Sequence, residues 1–290
     1  MKHPPKVLPI PVPKGNKHPD PEFYPILPTH EFTWGVISPK GAGKTTIMIN
    51  LLKFYKGYFH KIIIFSPTIL NDDKWDYVKT LNLRVENKQL IKFLKSLEDD
   101  KDVDDNKMFP SVEGTPKNAV EKFDPKIPEQ HFITLYNEET LKGFVDEQDQ
   151  MIKFLKANEK PKYLADRILF VLDDLVGSEL FNGRQDNYFK VFNTIHRHLG
   201  CSAFMLSQAF KEIPKTIRTQ WTCLLTFAIG SDKEIESIYE EFSMGLKKLQ
   251  WYAVYDFCTK DPHSFMFVDF QKPIGQQIMK NFDTFIDEGN

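Results

Sequence analysis

From Glu31 onward the chain alternates short apolar runs with stretches whose apolar residues recur every three to four positions. Phe32–Ser38, Lys61–Phe65, His131–Leu135, Ile168–Leu172, Ala203–Leu206 and Cys223–Ala228 read as strands. Between them, Thr45–Tyr55 places Ile47, Leu51, Leu52 and Tyr55 on one helical face, and Glu138–Ala157 does the same with Leu141, Phe144, Met151, Ile152 and Leu155. Strands that are apolar on both faces and separated by helices predict an α/β fold with a mostly parallel central sheet and flanking helices. Near the end, Tyr252–Phe257 and Ser264–Phe270 flank a Lys-Asp-Pro-His turn and predict a C-terminal β-hairpin.

The pattern breaks in two places. Nine of the 19 prolines lie in the first 28 residues, among Lys2, Lys6, Lys14 and Lys17. Proline fixes φ and removes a donor, so residues 1–30 read as an extended arm, either a leader without structure or a strap onto a neighbour. An acidic run, Glu98–Asp105, opens a proline-bearing insertion of about 96–128 that reads as solvated. The α/β domain then spans 31–272, with 273–290 as a tail.

Composition narrows the class. At 290 residues, 41% hydrophobic and 27% charged, the chain has the material for one large globular domain. The longest nearly apolar stretch, Trp221–Gly230, is about half of what crosses a bilayer, and no apolar signal core follows Met1, so neither a membrane partner nor export is expected. Cys201, Cys223 and Cys258 stand far apart in apolar surroundings, without zinc-site spacing, and read as reduced core thiols. A formal charge of -2 gives no global basic field, so any nucleic-acid surface must be local. Only five of the 38 basic residues are arginine, which singles those five out for geometric work that lysine's point charge does poorly.

Chemistry enters at Ser38–Thr45, which reads Ser-Pro-Lys-Gly-Ala-Gly-Lys-Thr between the first strand and the first helix. It follows the GxxxxGK(S/T) phosphate-loop pattern except that Ser38 replaces the first glycine. Gly41 and Gly43 allow a tight turn whose amides face phosphate oxygens, with Lys40 and Ala42 completing the loop. Lys44 supplies charge to the β- and γ-phosphates, Thr45 a hydroxyl for Mg2+, and Thr46 opens the helix. The bland reading is an ordinary glycine turn. A second element, Ile-Leu-Phe-Val-Leu-Asp-Asp at 168–174, is a strand ending in two carboxylates. Asp173 would hold the metal and Asp174 would orient the attacking water; the alternative is an acidic turn. Gln208 ends the strand after it, where a polar residue senses γ-phosphate and water, or simply caps the strand.

There is no NKxD motif for guanine and no LSGGQ-like segment, and only Arg84 and Arg167 lie where a small-molecule kinase would carry lid arginines. A carboxylate beyond the metal ligand and a glutamine on the neighbouring strand suit ATPases in which one strand separates the phosphate-loop strand from the acidic one. Together with His196-Arg197-His198 and the Ile-Pro-Lys-Thr-Ile-Arg segment ending at Arg218, these motifs resemble the DNA-packaging ATPases of poxviruses, other large double-stranded DNA viruses, virophages and Polinton-type elements. Those belong to the HerA/FtsK superfamily. The resemblance runs from about Phe32 to about Phe270, omitting the acidic insertion; Asp174 stands where cellular relatives carry glutamate.

The resemblance implies a RecA-like ASCE P-loop NTPase core using ATP and Mg2+, a homo-oligomeric ring of five or six subunits, and translocation of double-stranded DNA into a capsid in the host cytoplasm or a viral factory. A ring needs a cation supplied across the subunit boundary, and Arg197 and then Arg218 are the candidates. A translocating pore grips phosphates rather than bases, which points to Lys211, Lys215, Lys247 and Lys248, although chance pairs are common in so lysine-rich a chain. Capsid proteins are the further partners implied. Two other readings stand beside this one: a different HerA/FtsK-type translocase or helicase, and a nucleotide-binding scaffold with weak hydrolysis.

Overall fold

The computed structural model describes residues 18–98, 120–122, 130–175, 178–181 and 188–286. Most of the proline-rich arm and most of the acidic insertion lie outside them. The strands among the described residues are β1 (Thr33–Ile37), β2 (Lys61–Phe65), β3 (Val120–Lys122), β4 (Gln130–Ile133), β5 (Ile168–Asp173), β6 (Cys201–Ser207), β7 (Cys223–Phe227), β8 (Phe265–Asp269), β9 (Ile278–Lys280) and β10 (Thr284–Phe285). They form one sheet in the order β10-β9-β8-β7-β1-β6-β5-β2-β4-β3. The six strands from β7 to β4 run parallel, and antiparallel pairs finish both edges.

Alternation along each strand assigns its side chains to two layers. Trp34, Val36, Ile62, Ile64, Leu169, Val171, Phe204 and Leu206 face α1 (Lys44–Phe54) and α2 (Asp73–Thr80) in one buried cluster. Ile63, Phe170, Leu172, Ala203 and Met205 face α4 (Glu138–Ala157), α5 (Tyr188–Ile195) and α8 (Lys248–Thr259) in the other, which also takes in Ile217 of the short α6 (Lys215–Arg218), while α3 (Lys88–Glu98) packs Leu90 with Leu155 in a small satellite cluster. Burying both faces explains why these strands read as continuous apolar runs. On β1, Gly35 leaves room for Trp221: a Cβ there would come within 2.4 Å of the indole ring. All three cysteines are buried free thiols.

Two expectations change. The C-terminal hairpin exists, but its strands are β8 and β9; Tyr252–Phe257 lies inside α8. The aromatic run looks strand-like, yet Trp251, Tyr255 and Cys258 recur at helical spacing and pack as one buried stripe. Residues 273–290, set apart above as a tail, carry β9 and β10. The edge strand β3 falls within the expected insertion. The described end of the arm docks on its own chain: Leu27 is buried, Tyr55 Oη donates to the Pro28 carbonyl at 2.8 Å, and Tyr58 Oη donates to that of Pro19 at 2.8 Å.

Candidate active site

The C-terminal ends of β1, β6, β5 and β2 meet at one edge of the sheet, and the phosphate loop leaves β1 there. Ser38 N donates to the Ser207 carbonyl at 3.0 Å, continuing the β1–β6 ladder into the loop. Ser38 is fully buried, and its hydroxyl, with no partner, fits where the motif asks for glycine. Gly41 (φ 82°) and Gly43 (φ 118°) take the left-handed conformations for which an L side chain is strained. Helix α1 starts at Lys44, so the loop ends against a helix N-terminus.

One strand, β6, separates β1 from β5, as the sequence motifs predict. That spacing brings the acidic pair to Lys44. Lys44 Nζ lies 3.0 Å from Asp174 Oδ1 and 3.6 Å from Asp173 Oδ1, as ion pairs rather than directed hydrogen bonds. Gln208, at the end of β6, donates from Nε2 to both Asp174 oxygens at 3.1 Å. Asp174 takes φ 53°, a left-handed turn that swings its carboxylate off the strand axis toward Lys44 and Gln208. Burial raises the Asp173 carboxyl above its usual range; Lys44 and a hydrogen bond from Ser66 oppose that rise, and the charge of Asp174 reinforces it.

Ser66, Thr68 and Trp75 were not singled out in the sequence. Ser66 Oγ, at the end of β2, donates to Asp173 Oδ2 at 2.8 Å and lies 3.0 Å from Thr68 Oγ1, which accepts from Trp75 Nε1 at 3.1 Å. This chain fixes one Asp173 oxygen and leaves Oδ1, buried and without a hydrogen bond, turned toward Lys44. A strand-end Ser-Pro-Thr carries no spacing that marks it in advance. Lys40, Gly41 and Thr46 are exposed, whereas Ala42 and Thr45 are half-buried within the loop and at the start of α1.

The two arginines part company. Arg218 is buried, its Nε and Nη2 clamp the Glu241 carboxylate at 3.0 and 2.5 Å, and Nη1 donates to the Phe210 and Ile213 carbonyls at 3.1 and 2.6 Å. Its guanidinium also lies over the Phe210 ring at 4.1 Å. Four of the five guanidinium N–H groups of Arg218 are thereby engaged within its own chain. Arg197 is exposed in the turn entering β6. It sits at the opposite end of that strand from Gln208, roughly 25 Å away at ~3.3 Å per residue, so it cannot reach its own chain's carboxylates. Of the candidate lysines, Lys248 pairs with Glu236 at 2.7 Å, and Lys211, itself exposed, donates to Glu234 only from its backbone N–H, both glutamates lying on the acidic face of α7 (Asp232–Glu241). Lys215 and Lys247 are exposed.

The family model described as Poxvirus A32 protein matches residues 115–261, just over half of the chain, taking in β5, the acidic pair and Gln208. The fold is similar to the DNA-packaging ATPase B204 of Sulfolobus Turreted Icosahedral Virus, at 14% identity and TM-score 0.50 over 86% of this chain and 96% of that one. It is likewise similar to the genome packaging NTPase B204 of Sulfolobus turreted icosahedral virus 2 in complex with AMPPCP, at 12% identity and TM-score 0.52 over the same shares. At that identity the likeness establishes the fold alone. No curated protein sequence matches the chain.

Proposed function

The chain belongs to the Poxvirus A32 protein family, and we propose that within it the protein is an ATPase that drives double-stranded DNA into a capsid as a ring of identical subunits. The observation that carries the catalytic part is the convergence of Lys44, Asp173, Asp174 and Gln208 from three adjacent strand ends. Two buried polar atoms there, Lys44 Nζ and Asp173 Oδ1, have no hydrogen-bond partner, a deficit a polar ligand relieves.

Asp173 Oδ1 and the Thr45 hydroxyl are hard oxygen donors and fit Mg2+. When bound, Mg2+ neutralises charge on the β- and γ-phosphates. The chain's own residues do the rest. Gly41 to Thr45 present backbone amides to the triphosphate, and Lys44 exchanges its carboxylate contacts for phosphate oxygens. Asp174, released from Lys44, accepts a proton from the water that attacks the γ-phosphorus as ADP departs. Gln208 keeps Asp174 aimed through its Nε2 and can accept from the same water through Oε1. Arg197, exposed and remote from its own site, is the proposed finger for a neighbour's γ-phosphate, and Lys215 and Lys247 the proposed duplex contacts. None of the helices among the described residues is long and apolar enough to cross a membrane, which accords with work in the host cytoplasm or viral factory.

ATP turnover with and without linear duplex DNA tests this reading. Turnover should rise with duplex, the stimulation should fade as salt is raised, and Lys44→Ala should abolish it. Turnover indifferent to DNA would remove the translocase, and a Lys44→Ala chain turning over at the parental rate would remove the site.

A further inference from the structure

The sequence gives no motif at His263, yet its ring bears on the phosphate loop from the far end of the chain. His263 Nδ1 lies 3.1 Å from the Ala42 carbonyl oxygen. A Cβ built on the next residue, Gly43, would come 3.6 Å from the same Nδ1 and 3.7 Å from the Phe227 ring. His263 and Phe227 therefore back the outer side of the loop where Gly43 turns.

Peptide geometry gives this contact a direction. In a planar trans peptide the carbonyl and the following N–H point opposite ways. Holding the Ala42 carbonyl outward, on His263, turns the Gly43 N–H to the inner side of the loop, where a phosphate oxygen is to be received.

The residues around His263 hold it in place. Pro262 fixes φ immediately before it, and His263 itself takes φ 62°, a left-handed conformation costly to most side chains. Ser264 donates to the Asp261 carbonyl through both its backbone N at 3.0 Å and its hydroxyl at 2.8 Å. Lys280, on β9, pairs with the Asp261 carboxylate. The C-terminal antiparallel strands thus station His263, and through it the loop 220 residues earlier.

We propose that His263 is a positioning residue for the phosphate loop, its Nδ1–H holding the Ala42 carbonyl so that the Gly43 N–H stays turned toward the triphosphate. This rests on the phosphate-loop reading above. It extends that reading to a residue outside the strand ends that carry Lys44, Asp173, Asp174 and Gln208, and it gives β8 and β9 a part in nucleotide binding.

The experiment compares full-length His263→Ala, His263→Asn and Lys44→Ala chains by ATP turnover and by calorimetric binding of ATP. Asparagine places an amide N–H where Nδ1 stands and tolerates the left-handed backbone; alanine removes the donor. His263→Ala should raise the KM and Kd for ATP about three- to ten-fold, the scale of one hydrogen bond, while kcat stays within about two-fold. His263→Asn should return both constants to within about two-fold of the parent. An unchanged KM in His263→Ala, a loss confined to kcat, or an asparagine variant as impaired as alanine would each overturn the proposal. A Lys44→Ala chain that binds ATP like the parent would instead remove the phosphate-loop reading itself.

Discussion

Arg218 separates a structural arginine from a catalytic one, and the two roles give opposite results. In Arg218→Ala the Glu241 carboxylate, only 12% exposed, loses both of its guanidinium contacts, and the Phe210 and Ile213 carbonyls lose a donor. Breaking a buried pair by removing one partner costs about 3–5 kcal/mol, because the remaining charge is left uncompensated. At ~2 °C per kcal/mol for a domain of this size, that is a fall in Tm of about 6–10 °C, read by thermal denaturation followed by circular dichroism. Removing Glu241 as well should cost less than the two single changes together, since the double variant no longer strands a charge. An Arg218→Ala chain that melts within about 1 °C of the parent would refute this reasoning. If its turnover were also lost and then restored by mixing with Asp174→Asn subunits, Arg218 would be the finger after all.

Two more outcomes follow from the buried titratable groups. Asp173→Asn removes a proposed Mg2+ oxygen and should lower ATP turnover, and because burial holds the Asp173 carboxyl above its usual range it should leave the nucleotide-free chain as stable as the parent or more so at neutral pH. That advantage should fade on acidification, because protonating Asp173 relieves the same cost; an Asp173→Asn chain that melts well below the parent at neutral pH would contradict it. At the other end of the strands, burial pushes His60 from 6.5 down to about 3 and lowers His30 well below its ordinary value. These neutral imidazoles contribute stability that is complete above pH ~6.5 and is lost as pH falls toward the folded value. His60→Asn, whose Oδ1 can replace the acceptor for Arg167 N, should flatten the melting profile between pH 6.5 and 4.5, and an unchanged slope would rule His60 out as a cause.

The sheet was legible wherever strands are buried on both faces. Lys61–Phe65, Ile168–Asp173 and Cys201–Ser207 are apolar almost throughout because helices cover both sides. That the glycine loop, the acidic pair and Gln208 meet was legible because their positions at the ends of consecutive elements are recorded in their spacing. The segment Lys248–Thr259 misled because its aromatic density mimics a strand until burial on one stripe decides for the helix. Short strands such as β9 and β10 are defined by the neighbour they pair with rather than by their own pattern. Arg218 could not be sorted from Arg197 by sequence, since Glu241 lies 23 residues beyond it and meets it only through packing. Ser66 and His263 are isolated polar residues whose work depends on partners 107 and 221 residues away.

The central claim is that water held by Asp174 cleaves a triphosphate cradled beside Lys44. Asp174→Asn tests it most directly, because asparagine is at home at the φ of 53° this position requires and keeps the size of the side chain while removing the base. Single-turnover phosphate release, measured beside calorimetric ATP binding on the same protein, should show ATP held within a few-fold of the parent and release slowed at least about 100-fold. Release at the parental rate from a chain that binds ATP normally would contradict it.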